Sequence, residues 1–260
     1  MPQTLELNNI TKIFNKGTVN EATVFSGFNM SVEKGEFVSI VGSNGSGKTT
    51  LLNIISGNIP IEGGNILLNG EDISKQKEYI RARKIGRVFQ DPSKGTANTM
   101  TIAENLALAE NKGNIYGLTR GLNKKRIEEY RDLVKTLNLG LEDKINVEVG
   151  SLSGGQRQAL TLLIATMTPI DLLLLDEHTA ALDPKTSQDI MELTNRIVKE
   201  KNITTLMVTH NLRFAVEYGS RLMMFNKGEV VIDKSGEAKN KLVVDDLLKT
   251  FNEISIECGN

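Results

Sequence analysis

The chain has 260 residues, 39% apolar and 24% charged, the balance of a soluble globular protein long enough for one large α/β domain or two small ones. Its formal net charge of -1 excludes the basic excess by which nucleic-acid and anionic-membrane binders are recognised, so no nucleic-acid partner is expected. The single cysteine, Cys258, excludes an intrachain disulfide; the opening MPQTLELNNI lacks a secretory pattern, and no apolar run approaches the roughly 18–20 residues of a membrane span, so a cytosolic location is expected.

Alternation over residues 5–7, 11–14 and 24–32 predicts short strands, with a turn at Gly27. Residues 36–41 form a strongly apolar strand that runs into a glycine-rich loop, followed by a helix over 48–56 that Gly57 ends. Pro60 and Gly63-Gly64 mark a turn. Strands at 66–68 and 85–89 flank a charged helix around 75–83, expected to be exposed. Beyond Asp91 the pattern becomes helical. Thr101-Ile-Ala-Glu104 is a capping-box start for a helix reaching about Glu110, and residues 111–123, with Gly113, Gly117 and Gly121, read as a connection. An amphipathic helix follows over 124–137. Residues 171–176 return to a buried strand, 184–199 form a helix with proline in its first turn, and 203–208 form another apolar strand. Two late strands, 222–225 and 230–232, precede a C-terminal helix around 244–251. No repeat or long linker divides the chain. It reads as a single domain: a core of about 1–90 and 169–235, a helical insertion of about 91–168, and a C-terminal helical tail of about 236–260.

Three motifs carry chemistry. Gly42-Ser43-Asn44-Gly45-Ser46-Gly47-Lys48-Thr49, followed by Thr50, has P-loop spacing and sits between a strand and a helix. Glycines let the backbone N–H groups turn toward phosphates at a helix N-terminus. Lys48 supplies a positive charge to the β/γ oxygens of ATP, and Thr49 a hydroxyl for Mg²⁺. Leu172-Leu-Leu-Leu-Asp176-Glu177 is a buried strand ending in two carboxylates at the edge where open α/β sheets bind ligands. Asp176 is placed to hold Mg²⁺ and Glu177 to act as general base on the attacking water. In Leu152-Ser153-Gly154-Gly155-Gln156, Ser153 caps a helix starting near Gly154, Gln156 completes the capping box, and the glycines admit another molecule's phosphate.

With this pentapeptide beside the P-loop, the sequence resembles the ATP-binding cassette family over roughly residues 4–235. The resemblance implies a P-loop NTPase core with an antiparallel β subdomain and a helical insertion. It also implies roles for further residues. Gln90, in Val-Phe-Gln-Asp-Pro, matches the glutamine that reaches Mg²⁺ or the attacking water; His210 matches the switch histidine at the γ-phosphate. Asp183, in Ala181-Leu182-Asp183, matches a residue that crosses a dimer seam, and Phe14 an aromatic that stacks on adenine. Two positions depart from the pattern: His178 stands where proline commonly follows the glutamate, and Ala180-Ala181 has alanine where serine is frequent.

The family arrangement is a head-to-tail pair of copies with ATP between the Lys48 site of one and Ser153 and Gly155 of the other. The stretches around Phe89-Gln-Asp-Pro and Asp-Glu-His-Thr are similar to a bacterial subgroup of importer ATPases associated with aromatic amino-acid-type substrate-binding proteins. That implies a peripheral ATPase at the cytoplasmic membrane face, with an integral-membrane permease and an extracytoplasmic substrate-binding protein as partners. Alternatives are an exporter ATPase and a soluble assembly ATPase of the iron–sulfur type. About a hundred residues separate Thr49 from Leu152, without heptads or cysteines, which disfavours chromosome-organising and DNA-repair relatives with coiled-coil or zinc insertions. A single cassette in the chain disfavours ribosome-associated factors.

Overall fold

Apolar alternation near the N-terminus continues further than the short sequence windows suggest. The computed structural model describes residues 2–112 and 122–257, and there each half of this region is one long strand, β1 (Gln3–Phe14) and β2 (Ala22–Glu33). Gly27 is not a turn. It lies within β2 at φ +70°, opposite a break in register near Asn9, which is itself at φ +54°. The Asn9 N–H donates to Asn29 Oδ1 at 2.9 Å, and Asn29 Nδ2 to the Gly27 carbonyl at 2.7 Å. These side chains stabilise a bulge that interrupts the two-residue period without ending the pairing. With β4 (Gly63–Leu68) and β5 (Glu71–Asp72), the strands form a four-stranded antiparallel sheet in the order β2-β1-β4-β5.

The second sheet has the order β10-β9-β3-β8-β7-β6, built from β3 (Phe37–Gly42), β6 (Ile85–Val88), β7 (Leu172–Asp176), β8 (Thr204–Val208), β9 (Arg221–Asn226) and β10 (Glu229–Ser235). All neighbours pair in parallel except β10, which runs antiparallel along β9. The leucine run of β7 follows from burial on both faces. Leu172 and Leu174 join a core with Leu51, Leu52, Ile54 and Ile55 of α1 (Lys48–Ser56) and with Leu5, Leu7 and Phe25 of the antiparallel sheet. Leu173 and Leu175 face the other way, into a core shared with α3 (Ile102–Glu110), α4 (Ile127–Lys135), α5 (Gly154–Thr166) and α6 (Pro184–Lys201). No helix among the described residues is long and apolar enough to cross a membrane.

The charged helix expected over 75–83 is one short turn, α2 (Glu78–Arg81), and it is not all solvated. Arg81 is buried, and its guanidinium donates to the carbonyls of Ile54 and Ile55 at 2.8 and 3.0 Å. It supplies donors to the last turn of α1, where Gly57 takes the left-handed conformation and its own N–H also reaches the Ile54 carbonyl. Strand β6 ends one residue before Phe89, and residues 124–126 form a 3₁₀ turn ahead of α4. The connection expected at 111–123 falls mostly outside the described residues, as does Cys258. Helices α7 (Leu212–Glu217) and α8 (Gly236–Asn240) are too short to show a period, and α9 (Val244–Glu257) runs past its expected end. Leu247 of α9 and Ala215 of α7 pack with Val41, Leu222 and Met224.

Candidate active site

Strands β3, β8, β7 and β6 are consecutive neighbours running in the same direction. Ile40 is level with Val208, Val208 with Asp176, and Leu175 with Val88. The segments that leave these strands therefore gather at one edge: the glycine loop, His210, Asp176-Glu177 and Gln90.

The loop holds its shape through two glycines and a lysine. Gly42 has φ +155°, and a Cβ there would lie 2.4 Å from the Phe225 carbonyl oxygen of β9. Gly47, at φ +103°, stands at the N-cap of α1 with no side chain capping the helix. The first N–H groups of α1 are thus left for an anionic ligand, with the helix dipole favouring it. Lys48 is buried and donates from Nζ to the carbonyls of Gly42 at 2.9 Å and Ser43 at 2.8 Å, which closes the loop over its own helix start. Burial holds its pKa below the usual lysine value, and the Glu177 and Asp176 carboxylates oppose that shift. Ser43, Asn44, Gly45 and Thr49 are exposed, Thr50 is half-buried, and Ser46 is buried beneath the loop.

Asp176 is buried at the end of β7 and accepts from Arg87 Nη2 at 2.9 Å. Glu177 follows with φ +49°, a left-handed conformation that is uncommon for a residue with a side chain and recurs at functional sites. Its N–H donates to the Val208 carbonyl at 2.9 Å, and its Oε1 lies 2.7 Å from His210 Nε2. His178 turns inward: it is buried, its Nε2 lies 3.1 Å from Thr194 Oγ1 of α6, and burial lowers its pKa to about 4. Thr194 Oγ1 donates to the Ile190 carbonyl, so it accepts from His178, which therefore carries its proton on Nε2. The same helix holds the next turn, because Ser187 Oγ donates to the Thr179 carbonyl at 3.0 Å.

Mg²⁺ is commonly held by one or two carboxylates together with substrate phosphates rather than by a protein cage. The donors here fit that description: the Asp176 carboxylate, the Thr49 hydroxyl at the loop's end and the exposed Gln90 amide, with no cluster of three acidic, histidine or cysteine ligands among the described residues.

The hydrogen bonds of Ser153 and Gln156 in the Leu152–Gln156 motif, among the described residues, go to each other and to the Leu139 carbonyl and not to the glycine loop. The capping box forms as expected, with Ser153 Oγ accepting from Gln156 N–H and Gln156 Oε1 from Ser153 N–H, each at 3.3 Å. Ser153 and Gly154 are exposed, whereas Gly155 is buried, and a Cβ on it would meet Thr186 Cγ2 at 2.4 Å. Packing of α5 on α6 thus favours glycine at 155 within this chain, a constraint the motif reading did not contain. Asp183 is exposed and caps α6 by accepting from Thr186 N–H at 3.1 Å, a bond that holds its carboxyl below the ordinary aspartate range. Phe14, at the end of β1, is partly exposed, with Lys12 Nζ 5.0 Å from its ring centroid.

Sequence reading passed over Arg87 and Gln158. Gln158, buried in α5, donates to the Phe89 carbonyl at 3.4 Å, which ties the helix of the Leu152–Gln156 motif to the residue before Gln90. A charged residue inside the 85–89 strand was the available signal for Arg87.

The family model described as "ABC transporter" matches residues 25–180. The chain is 49% identical over 247 residues to the tyrosine transport ATP-binding protein of Clostridioides difficile (strain R20291), covering 95% of this chain and 98% of that one. It is 32% identical to the phosphonates import ATP-binding protein PhnC of Lactococcus lactis subsp. cremoris (strain SK11), covering 94% and 98%. Among solved structures, it is similar to the ADP conformation of the cassette MJ1267, with TM-score 0.80, 26% identity and full coverage of both chains. It is also similar to the dimeric post-hydrolysis state of the cassette MJ0796 bound to ADP and Pi, with TM-score 0.75, 30% identity and coverage of 89% and 98%.

Proposed function

Since the chain belongs to the ATP-binding cassette transporter family, we propose that it is the ATPase subunit of an importer, one that drives an aromatic amino-acid-type solute through a separate permease. The observation that carries the catalytic assignment is the Glu177–His210 pair at 2.7 Å, beside the uncapped start of α1. The cargo class is supported by the 49% identity to a tyrosine transport ATP-binding protein.

ATP lies on the loop from Gly42 to Thr49, with Lys48 at the β/γ oxygens and the face of Phe14 against adenine. Mg²⁺, when bound, neutralises phosphate charge, and Thr49, Asp176 and Gln90 are the groups that hold it. Glu177 takes the proton from the attacking water, while His210 fixes the carboxylate's orientation and contacts the γ-phosphate. The start of α5, with Ser153, Gly154 and the backbone of Gly155, meets the ATP of a second copy, whose own α5 does the same in return. Asp183 lies along that seam. We read the chain as one domain, with residues 91–168 as the helical part that a permease contacts. A groove of about 650 Å³ with Phe89, Leu108 and Ile164 in its wall, and with Glu78, Lys94 and Lys112 also lining it, supports that contact. The subunit would then sit at the cytoplasmic membrane face, with a substrate-binding protein on the other side.

Uptake of labelled tyrosine by cells lacking the gene tests the import reading. Loss of uptake, restored by the wild-type protein and not by Glu177→Gln, is expected. Unchanged uptake together with co-purification of a soluble iron–sulfur partner would replace import with an assembly role, and increased retention of solute would indicate export.

A further inference from the structure

A strand buried on both faces has little room for a guanidinium, yet Arg87 lies in β6 with its side chain 10% exposed. Three contacts fix it. Nη2 donates to Asp176 Oδ2 at 2.9 Å, Nη1 to Ser56 Oγ at 3.1 Å, and the guanidinium carbon stands 4.6 Å from the centroid of the Phe89 ring. Ser56 ends the helix that begins at Lys48, and Phe89 precedes Gln90, so one side chain links the far end of α1, the end of β7 and the residue before Gln90. Nε is buried with no hydrogen-bond partner. Leaving a donor unsatisfied costs free energy, so the fork is oriented for its two partners rather than for its own solvation.

Among the described residues, the Asp176 carboxylate accepts hydrogen bonds at Oδ2 alone, and the side chain is only 12% exposed. We propose that Arg87 is a positioning residue for the metal carboxylate: it anchors Asp176 by one oxygen, fixes the rotamer and reserves the other oxygen for Mg²⁺ or its hydration shell. A buried carboxylate without this partner would lose both its counter-charge and its orientation. Groups that hold a metal ligand from behind commonly change metal affinity by about 10–100-fold when removed. The proposal rests on the reading of Asp176 as the Mg²⁺ carboxylate.

The test measures binding of mant-ATP to the full chain, first without metal and then titrated with Mg²⁺, in wild type, Arg87→Met, Arg87→Lys and Asp176→Asn. Expected for Arg87→Met is an increase of about tenfold or more in the Mg²⁺ concentration for half-maximal effect, with metal-free mant-ATP affinity unchanged. Arg87→Lys, which keeps the charge and loses the fork, is expected to fall between the two. A purely structural arginine would shift metal-free and metal-dependent binding together. Unchanged or tighter Mg²⁺ dependence in Arg87→Met would overturn the proposal. If Asp176→Asn also left Mg²⁺ dependence unchanged, the reading of Asp176 itself would fail. Should Arg87→Met not fold by circular dichroism, Arg87→Gln is measured in its place against the same two outcomes.

Discussion

His210 Nε2 lies 2.7 Å from Glu177 Oε1, although the two residues leave different strands, β8 and β7. Parallel register brings them together, since Asp176 and Val208 are paired partners at the strand ends. The backbone contributes as well: the Glu177 N–H bonds to the Val208 carbonyl, which fixes the left-handed turn that presents the carboxylate. Replacing His210 by alanine would remove the neighbour that, under the proposed function, orients Glu177 as base, while leaving the phosphate loop intact. A fall in kcat of about 10²-fold with little change in KM for ATP is expected from steady-state kinetics.

Ser153 caps α5, and the proposed function gives it a second, intermolecular role. As the α5 cap it contributes about 1 kcal/mol, so Ser153→Ala is expected to lower stability by that order in urea unfolding. Aspartate is an equally good cap but carries a negative charge. Ser153→Asp is therefore expected to unfold like wild type and to fail in ATP-dependent dimerisation, because its carboxylate would face the other copy's γ-phosphate. Equal loss of stability and dimerisation in both variants would remove the intermolecular role.

Gly155 is expected to accept a side chain only at a cost in stability. The Cβ of Gly155→Ala would meet Thr186 Cγ2 at 2.4 Å, and such overpacking typically costs about 1–3 kcal/mol. Removing that methyl in Gly155→Ala/Thr186→Ser is expected to restore most of the loss. Denaturation of the four proteins of this cycle measures the coupling.

His178 makes stability depend on pH. Its folded pKa of about 4 lies below the unbound value of 6.5, so the unfolded chain binds more protons as pH falls below about 6.5. Stability present at neutral pH is then lost progressively, on the order of 2 kcal/mol between pH 7.5 and 5 from this group. Urea unfolding across that range should show a shallower fall in His178→Gln than in wild type. Identical slopes would mean that His178 keeps an ordinary pKa in the fold.

The elements that position the site were legible where the local signal and the tertiary environment agree. The β3–loop–α1 unit, the leucine strand β7 and the Ser153 capping box each carry an unambiguous pattern, and each lies where expected. Signals that depend on a distant partner were not legible. Arg81 read as part of an exposed charged helix and Arg87 drew no reading, yet Arg81 is buried and Arg87 largely enclosed because carbonyls of α1 and the Asp176 carboxylate, far away in sequence, receive them. Gly27 read as a turn because a bulge and a turn need the same backbone freedom, and Asn9 on the neighbouring strand decides between them. The departure at His178 is explained by a residue on α6: Thr194 accepts the hydrogen bond that holds the turn after Glu177.

Glu177→Gln tests the proposed two-copy site most directly, because it would remove the proposed base while preserving shape. Light scattering during size exclusion with Mg²⁺ and ATP, alongside phosphate release, reads both halves of the claim. A stable ATP-dependent dimer with hydrolysis reduced by about 10²-fold or more is expected. A monomer that still hydrolyses ATP at the wild-type rate would contradict both the role of Glu177 and the enclosure of ATP between two copies.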